Sequence, residues 1–420
     1  MTSPSLNSKK NLFKNTGALF ALQAANYVLP FLIIPYLTQK LGVELYGVVA
    51  FGLAIVQISC VITDFGFNYS ATYRIAKNHN NRQEIRSIVG AVTFCKLALV
   101  LPILLGIYTY SDVSGDYKEH SLFLTLLALP ILGQTLQPIW LFQGIERMGL
   151  ITLYTILSRS SYLLFTLILV QQPADYYLVA ISNGIAQGLG AIIGLIMCAK
   201  LGYSPRWPGL QYTIGVFRES VEYFWARAAV STYTAGGAFF LGIFSTPSQV
   251  AVYSAAEQLY KGAQALFQPV SQALYPYMAK SRNLPLFFKI VKAVCFSSLV
   301  GLVIGVISGK EIISIIFGSD FEKSYEVLII FLLTYCVTMP SILLGYPLLG
   351  ALGDSRSANY SVIYAGFIQI LLLSLLIFFN HLESIYVALS VLLVETFVLV
   401  YRSVRSKRLI TSIRSNNEPA

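Results

Sequence analysis

The sequence predicts an all-α integral membrane protein with twelve transmembrane helices, arranged as two six-helix bundles related by pseudo-twofold symmetry along the membrane normal. Three observations support this fold class: the composition, the placement of basic residues and a weak internal repeat. Hydrophobic residues make up 56% of the 420 residues and charged residues only 11%, against about 25% charged residues in soluble domains. Apolar runs of about 20 residues recur along the chain, and each is long enough to cross the hydrocarbon core as a helix.

The apolar runs define the predicted spans. A membrane β-barrel is excluded because runs such as residues 298–307 and 363–379 do not alternate in polarity. The twelve spans cover residues 13–37, 46–67, 87–108, 121–145, 149–170, 175–199, 217–243, 249–277, 286–308, 325–350, 358–379 and 382–402.

The basic residues set the orientation of the chain. With the N-terminus inside, most of the 29 Lys and Arg residues fall on the cytoplasmic side. Only Lys40, Lys118, Lys310 and Lys323 fall on the outer side, and four more lie within spans. Because positively charged loops resist translocation, we expect a multi-pass inner-membrane protein with both termini in the cytoplasm.

Other function classes find little support. The basic residues sit in short connections rather than on one soluble face, which argues against nucleic acid as a partner. The five cysteines show no CxxC spacing and the three histidines are scattered, so neither a metal nor another cofactor is expected. Walker, HExxH and GxSxG motifs are absent from the sequence, and an enzyme is therefore not predicted.

The chain also resembles a doubled unit. A shift of about half its length pairs Tyr46 with Tyr253 and Gln57 with Gln264, as in transporters built from parallel repeats. The alternative is chance alignment of polar residues. The repeat predicts an N-terminal six-helix lobe at residues 1–202, a cytoplasmic linker at 203–211 and a C-terminal six-helix lobe at 212–420.

Four basic residues lie near the predicted bilayer midplane, namely Lys96, Arg159, Arg227 and Lys261. A charge at that depth costs a few kcal/mol even on lenient scales, so it is expected to face a cavity or a partner. Snorkelling and structural pairing are the alternatives. Lys96 and Arg159 have no acidic residue three or four positions away, and we expect both to bind an anionic ligand.

Span 8 carries a polar stripe at helical spacing. Its members are Glu257, Lys261, Gln264, Gln268, Gln272 and Tyr275. Such a stripe faces the bundle interior, because lipid offers no hydrogen-bond partners. The sequence leaves open whether Glu257 and Lys261 neutralise each other or face a ligand.

A shorter stripe in span 2 consists of Gln57, Asp64 and Asn68. We expect the two stripes to face each other in a cavity lined by spans 1, 2, 7 and 8. Glu395 in span 12 is either a counter-ion for a basic residue or, like Glu257, a proton or sodium site.

Short motifs add a family resemblance. DFGFN at residues 64–68, PIWLFQG at 138–144, and AAEQ at 255–258 with QALYP at 272–276 resemble the polysaccharide transporter branch of the MOP exporter superfamily, specifically Wzx-type O-antigen flippases. The resemblance covers essentially the full length. It implies two lobes in a MATE-like V around a cationic cavity, which carries undecaprenyl-diphosphate-linked oligosaccharide from the cytoplasmic to the periplasmic leaflet.

The resemblance gives the candidate residues roles. The four midplane cations would bind the diphosphate, and Gln57, Gln264, Gln268 and tyrosines would bind the glycan. H⁺ or Na⁺ would be the coupling ion, and polysaccharide polymerase or assembly proteins would be partners.

Two other functions remain open. A MATE-like ion-coupled drug or small-molecule antiporter would share the fold but is expected to have an acidic cavity. A membrane glycan polymerase would need large outer loops, whereas the predicted outer loops are short.

Overall fold

A computed structural model gives the architecture. The structure describes the backbone of residues 6–417 and the side chains of residues 31–225, 227–228, 231 and 236–412. Of the predicted first span, residues 13–37, the side chains of residues 13–30 lie outside the described residues. So do both extreme termini, on which the prediction of a cytoplasmic orientation partly depends.

The described chain is helical along nearly its whole length. Its helices are α1 (Leu6–Asp64), α2 (Phe67–Lys77), α3 (Arg82–Val113), α4 (Ser121–Leu126), α5 (Ala128–Leu136), α6 (Ile139–Gly144), α7 (Met148–Leu169), α8 (Leu178–Lys200), α9 (Leu210–Phe244), α10 (Pro247–Ser281), α11 (Leu284–Phe317), α12 (Ser324–Leu343), α13 (Ser355–Phe378) and α14 (Ser384–Asn417). Short 3₁₀ turns occur at Lys118–His120, Pro173–Tyr177 and Ser319–Phe321, and a π-helical segment at Leu344–Gly350 follows α12.

Within the described residues, nine helical segments are long and apolar enough to cross a membrane. The protein is therefore a multi-pass membrane protein, and its all-helical fold class is confirmed. Residues 31–77 count as one segment, and neither α9 nor α10 is among the nine. In α10 the polar stripe lowers the mean hydropathy, because charged and amide side chains replace apolar ones. The twelve-span count stays a prediction.

Helix breaks differ from the predicted span ends in two places. Predicted spans 1 and 2 are joined in α1, which changes direction at Gly42 (φ 72°, ψ −179°). Span 2 was predicted to continue to residue 67, but α1 ends at Asp64, and Phe65 (φ 42°) and Gly66 (φ 79°) leave the helical region. The prediction that Asn68 lies on the same helical face as Gln57 and Asp64 is therefore wrong, because Asn68 belongs to α2.

The chain divides into two compact units, Met1–Ala228 and Ala229–Ala420. The division falls inside α9, downstream of the polar stretch 203–211. In the first unit, the N-terminal half of α9 packs on α2 and α3 through a buried cluster that includes Phe67, Ile85 and Val216. The lobe boundary and the pseudo-symmetry stay predictions.

Within each unit the helices pack closely where small residues allow it. In the first unit α5 lies against α8, and a Cβ added at Gly133 would come within 2.7 Å of the α8 backbone at Gly188. In the second unit α12 packs against α10, α11 and α14. Close backbone approach at small residues is the usual way in which membrane helices associate.

Candidate functional site

The break after Asp64 is the first element of the site. Gly66 adopts a left-handed conformation, and a Cβ there would come within 2.9 Å of the Phe224 backbone nitrogen in α9. Only glycine combines this φ with this approach. The ring of Phe65 stacks between those of Phe217 and Phe224, with centroid separations of 4.3 and 4.4 Å. The DFGFN motif therefore places Asp64 where α1 meets α9.

Asp64 lies beside two basic residues of the first unit. Its side chain is buried, and its Oδ1 lies 3.9 Å from Nζ of Lys96 in α3, which is equally buried. Arg227 in α9 acts on the same carboxylate electrostatically. Neither Asp64 oxygen accepts a well-aligned hydrogen bond from the described residues, and Asn68 is the next polar group in reach. The carboxylate is thus balanced by charge more than by hydrogen bonds.

The Asp64–Lys96 contact corrects one expectation. Lys96 was expected to be unpaired because its own helix offers no acidic neighbour, but its partner lies on α1. Helical spacing detects partners on one helix only. Arg159 differs: among the described residues it forms no ion pair within 4 Å, and its electrostatic neighbours are Cys60 and Tyr162.

Arg159 lines a cavity of about 230 Å³ between α5, α6, α7 and α8. We call it the amide-lined cavity. Four of its lining residues carry side-chain amides, namely Gln134, Gln137, Gln143 and Gln187. Thr155, Ser158 and Arg159 on α7 complete its polar wall. These glutamines were not among the predicted site residues.

The second unit contains another cavity, of about 280 Å³, which we call the C-terminal cavity. Its ionisable lining residues are Glu257, Lys261, Glu395 and Arg402. Oε2 of Glu257 lies 2.8 Å from Nζ of Lys261. The question left open by the sequence has a direct answer: the two residues pair with each other and also line the cavity.

Only part of the polar stripe on α10 reaches this cavity. Gln264 lines it beside the ion pair, whereas Gln268, Gln272 and Tyr275 do not. Tyr275 is exposed, and its ring contacts that of Tyr346. In the first unit, Gln57 is exposed and lines none of the cavities described here. The predicted facing of the two stripes stays a prediction.

Arg402 was not among the predicted site residues, because the charge distribution counts it with the cytoplasmic basic residues. That side stays a prediction, but the residue is buried, with only 9% of its surface exposed. Its Nε donates to Ser361 Oγ at 2.9 Å and its Nη1 to the Ser341 carbonyl at 2.8 Å. A Cβ at Gly345 would lie 3.0 Å from the guanidinium, so the π-helical segment leaves room for the arginine.

Glu395 lies two helical turns before Arg402 on α14 and is 6% exposed. It forms no ion pair within 4 Å among the described residues, and Arg402 is the charged group that acts on it electrostatically. Arg402, which was not among the basic residues considered as its partner, is thus the candidate for the predicted counter-ion, and that role stays a prediction. The proton or sodium role stays a prediction.

Fold and site together define a class: a multi-pass helical membrane protein that holds charged and amide side chains buried among its helices. A multidrug-resistance MATE transporter of the MOP superfamily, in an inward-facing conformation, aligns with a TM-score of 0.68 at 10% identity, over 94% of this chain and 96% of that chain. The lipid II flippase MurJ, in an inward closed conformation, aligns with a TM-score of 0.69 at 12% identity, over 94% and 87%. At these identities the likeness establishes the fold alone.

The sequence comparison is more specific. Residues 12–282 match the family described as polysaccharide biosynthesis protein, and the chain belongs to that family. Two relatives, each provisionally named an O-antigen transporter, are 29% identical. The one from Escherichia coli K12 aligns over 77% of this chain and 80% of its own length, and the one from Shigella dysenteriae over 79% and 84%. The resemblance found in the short motifs is confirmed.

Proposed function

We propose that the protein is a flippase that moves undecaprenyl-diphosphate-linked O-antigen, or related surface polysaccharide, repeat units from the cytoplasmic to the periplasmic leaflet of the bacterial inner membrane. The proposal includes alternating access through a cationic cavity, two six-helix lobes and cytoplasmic termini. It assigns a transport function rather than an enzymatic one. The relatives named as O-antigen transporters support the substrate class.

One observation carries the proposal: near the predicted bilayer midplane the first unit has more cations than anions. Of the four cations predicted to lie there, this unit has Lys96, Arg159 and Arg227, and among the described residues Asp64 is the carboxylate beside them. A lipid diphosphate supplies the missing negative charge, and its acyl chain stays in the lipid while the headgroup crosses. A hydrophobic cation, the usual substrate of an antiporter, would be repelled by this excess.

The second unit supports a different role. Its charges at comparable depth balance, since Lys261 and Arg402 stand against Glu257 and Glu395. In the proposed cycle, Glu257 or Glu395 takes up the coupling ion, H⁺ or Na⁺, and Lys261 contributes to headgroup binding when its pair with Glu257 opens. Balanced charge suits a site that gains and loses one cation per cycle.

Complementation tests the proposal. The chain is expressed in a strain whose O-antigen flippase is deleted but whose repeat-unit synthesis and polymerase are intact. Surface polysaccharide should return and lipid-linked repeat units should stop accumulating. Arg159→Gln, expressed to the same level, serves as the matched loss-of-charge variant and should fail. Drug resistance without restored polysaccharide would instead identify an antiporter and contradict the proposal.

A further inference from the structure

The amide-lined cavity has polar groups at membrane depth that the fold itself does not need. The polar side chains of its inner wall form hydrogen bonds within the protein. Gln137 Nε2 donates to Gln187 Oε1 at 2.9 Å, and Gln187 Nε2 donates to Asn183 Oδ1 at 3.3 Å. Ser158 Oγ donates to the Ala186 carbonyl at 2.7 Å. These side chains are more than nine-tenths buried and hold α5, α7 and α8 in fixed positions.

The remaining polar side chains of the cavity have no protein partner. Among the described residues, no hydrogen bond or ion pair involves the side chains of Gln134, Gln143, Thr155 or Arg159, and all four are half-buried against the cavity. An amide or a guanidinium at membrane depth that lacks a partner is costly. Interhelical packing explains the inner wall but leaves these four groups unexplained.

The chemistry of these groups points to a ligand. Each amide both donates and accepts, as does each sugar hydroxyl, so amides complement a hydroxylated ring. The guanidinium of Arg159 offers a planar pair of donors that fits a carboxylate or a phosphate. None of the described residues that line the cavity is acidic, so the charge of Arg159 is uncompensated there. Ile139, Met148 and Ile151 supply an apolar wall for the C–H face of a ring.

The size of the cavity limits the ligand. Sites for drug-sized molecules occupy about 300–1,000 Å³, whereas this cavity has about 230 Å³. It has room for one sugar ring and not for an oligosaccharide. An oxyanion attached to the ring would reach Arg159, which lies beside Ser158 on the wall formed by α7.

We propose that the amide-lined cavity is a recognition pocket for a single sugar ring that carries an oxyanion, with Arg159 binding the oxyanion and Gln134 and Gln143 binding ring hydroxyls. The proposal rests on the proposed function, since it identifies one part of the transported oligosaccharide. The oxyanion has two chemical sources: the carboxylate of an acidic sugar, or the phosphate that joins the first sugar to the lipid. Either places sugar selection inside the first unit.

Binding to the purified full-length protein in detergent tests this. Four probes are titrated and followed by calorimetry: glucuronate, glucose 1-phosphate, glucose and inorganic phosphate. At least one anionic sugar should bind about tenfold more tightly than glucose, as expected for one added charge-assisted contact. Preference for glucuronate identifies the carboxylate as the source, and preference for glucose 1-phosphate identifies the phosphate.

Three variants and a control locate the binding. Gln134→Leu and Gln143→Leu should each raise the Kd about three- to tenfold without lowering the melting temperature, because neither amide has a protein partner. Arg159→Gln should abolish the preference for the anionic sugar. Gln83→Leu, the same change at an exposed position at the start of α3, should leave the Kd unchanged.

Three results would contradict the assignment of this cavity as a sugar-binding pocket. The first is that no probe binds, and the second is that glucose binds as tightly as both anionic sugars. The third is that phosphate binds as tightly as glucose 1-phosphate and the glutamine variants have no effect. A fall in melting temperature for Gln134→Leu and Gln143→Leu would show a structural role instead. Sugar binding without complementation contradicts the proposed flippase function alone, and complementation without sugar binding contradicts the pocket alone.

Discussion

The pair formed by Asp64 and Lys96 makes a sharp prediction about stability. Lys96→Met removes the cation from a carboxylate that is only 8% exposed. At 3.9 Å and an effective dielectric constant of about 20, two unit charges attract by about 4 kcal/mol. Arg227 also acts on Asp64 and compensates part of the loss. We therefore expect Lys96→Met to destabilise the protein by about 2–4 kcal/mol, somewhat less than the roughly 3–5 kcal/mol lost when one partner of an otherwise isolated buried pair is removed.

A double-mutant cycle isolates this interaction. Asp64→Asn in the Lys96→Met background removes the stranded carboxylate, so the double variant should recover most of the lost stability. Melting temperatures of the four purified proteins in one detergent give the comparison. Arg159→Met is the matched control: it also removes a cation at membrane depth, but one without an ion-pair partner among the described residues, and it should leave the melting temperature nearly unchanged.

Two results would refute this reasoning. If Lys96→Met melts at the wild-type temperature, Asp64 does not depend on the lysine. If the losses of Lys96→Met and Asp64→Asn add up in the double variant, the two residues are not coupled. The first prediction for Lys96, that it binds an anionic ligand without a protein partner, would then be favoured.

Three further predictions concern single positions. Gly66→Ala should cost roughly 2 kcal/mol or more, because it strains a left-handed residue and meets the α9 backbone, whereas Gly106→Ala, with open space around it, should be neutral or slightly stabilising by thermal melting. Arg402→Ala should lower the melting temperature strongly, because it leaves Glu395 without a nearby cation and breaks two hydrogen bonds. The control Arg405→Ala, at an exposed position on the same helix, should not lower it. Arg159→Lys should keep partial transport if charge alone suffices and little if two-point contact with an oxyanion is required, as measured by restored surface polysaccharide.

Features that depend on one helix at a time could be predicted from the sequence. The composition gave the helical membrane class, and the i, i+4 spacing of Glu257 and Lys261 anticipated their contact. Both follow from local periodicity, because neighbouring turns of one helix always bring such residues together.

Features that depend on packing between helices could not be predicted in this way. Asp64 meets Lys96 from a different helix, and Arg402 on α14 is buried against Ser361 of α13 and the Ser341 carbonyl of α12. The amide-lined cavity joins glutamines of separate short helices. The spacing of Asn183 and Gln187 on apolar α8 was the one readable signal for it, since two amides one turn apart in a membrane helix need partners.

The most direct test of the flippase assignment follows the lipid-linked substrate itself. The purified protein is reconstituted into vesicles that contain undecaprenyl-diphosphate-linked repeat units, and a membrane-impermeant glycan-modifying reagent reports the fraction of substrate in the outer leaflet. With an inward H⁺ or Na⁺ gradient, vesicles with the wild-type protein should expose to the reagent, over time, substrate that is protected at the start. Vesicles with Arg159→Gln should behave like protein-free vesicles. Equal exposure in wild-type and protein-free vesicles would contradict the assignment.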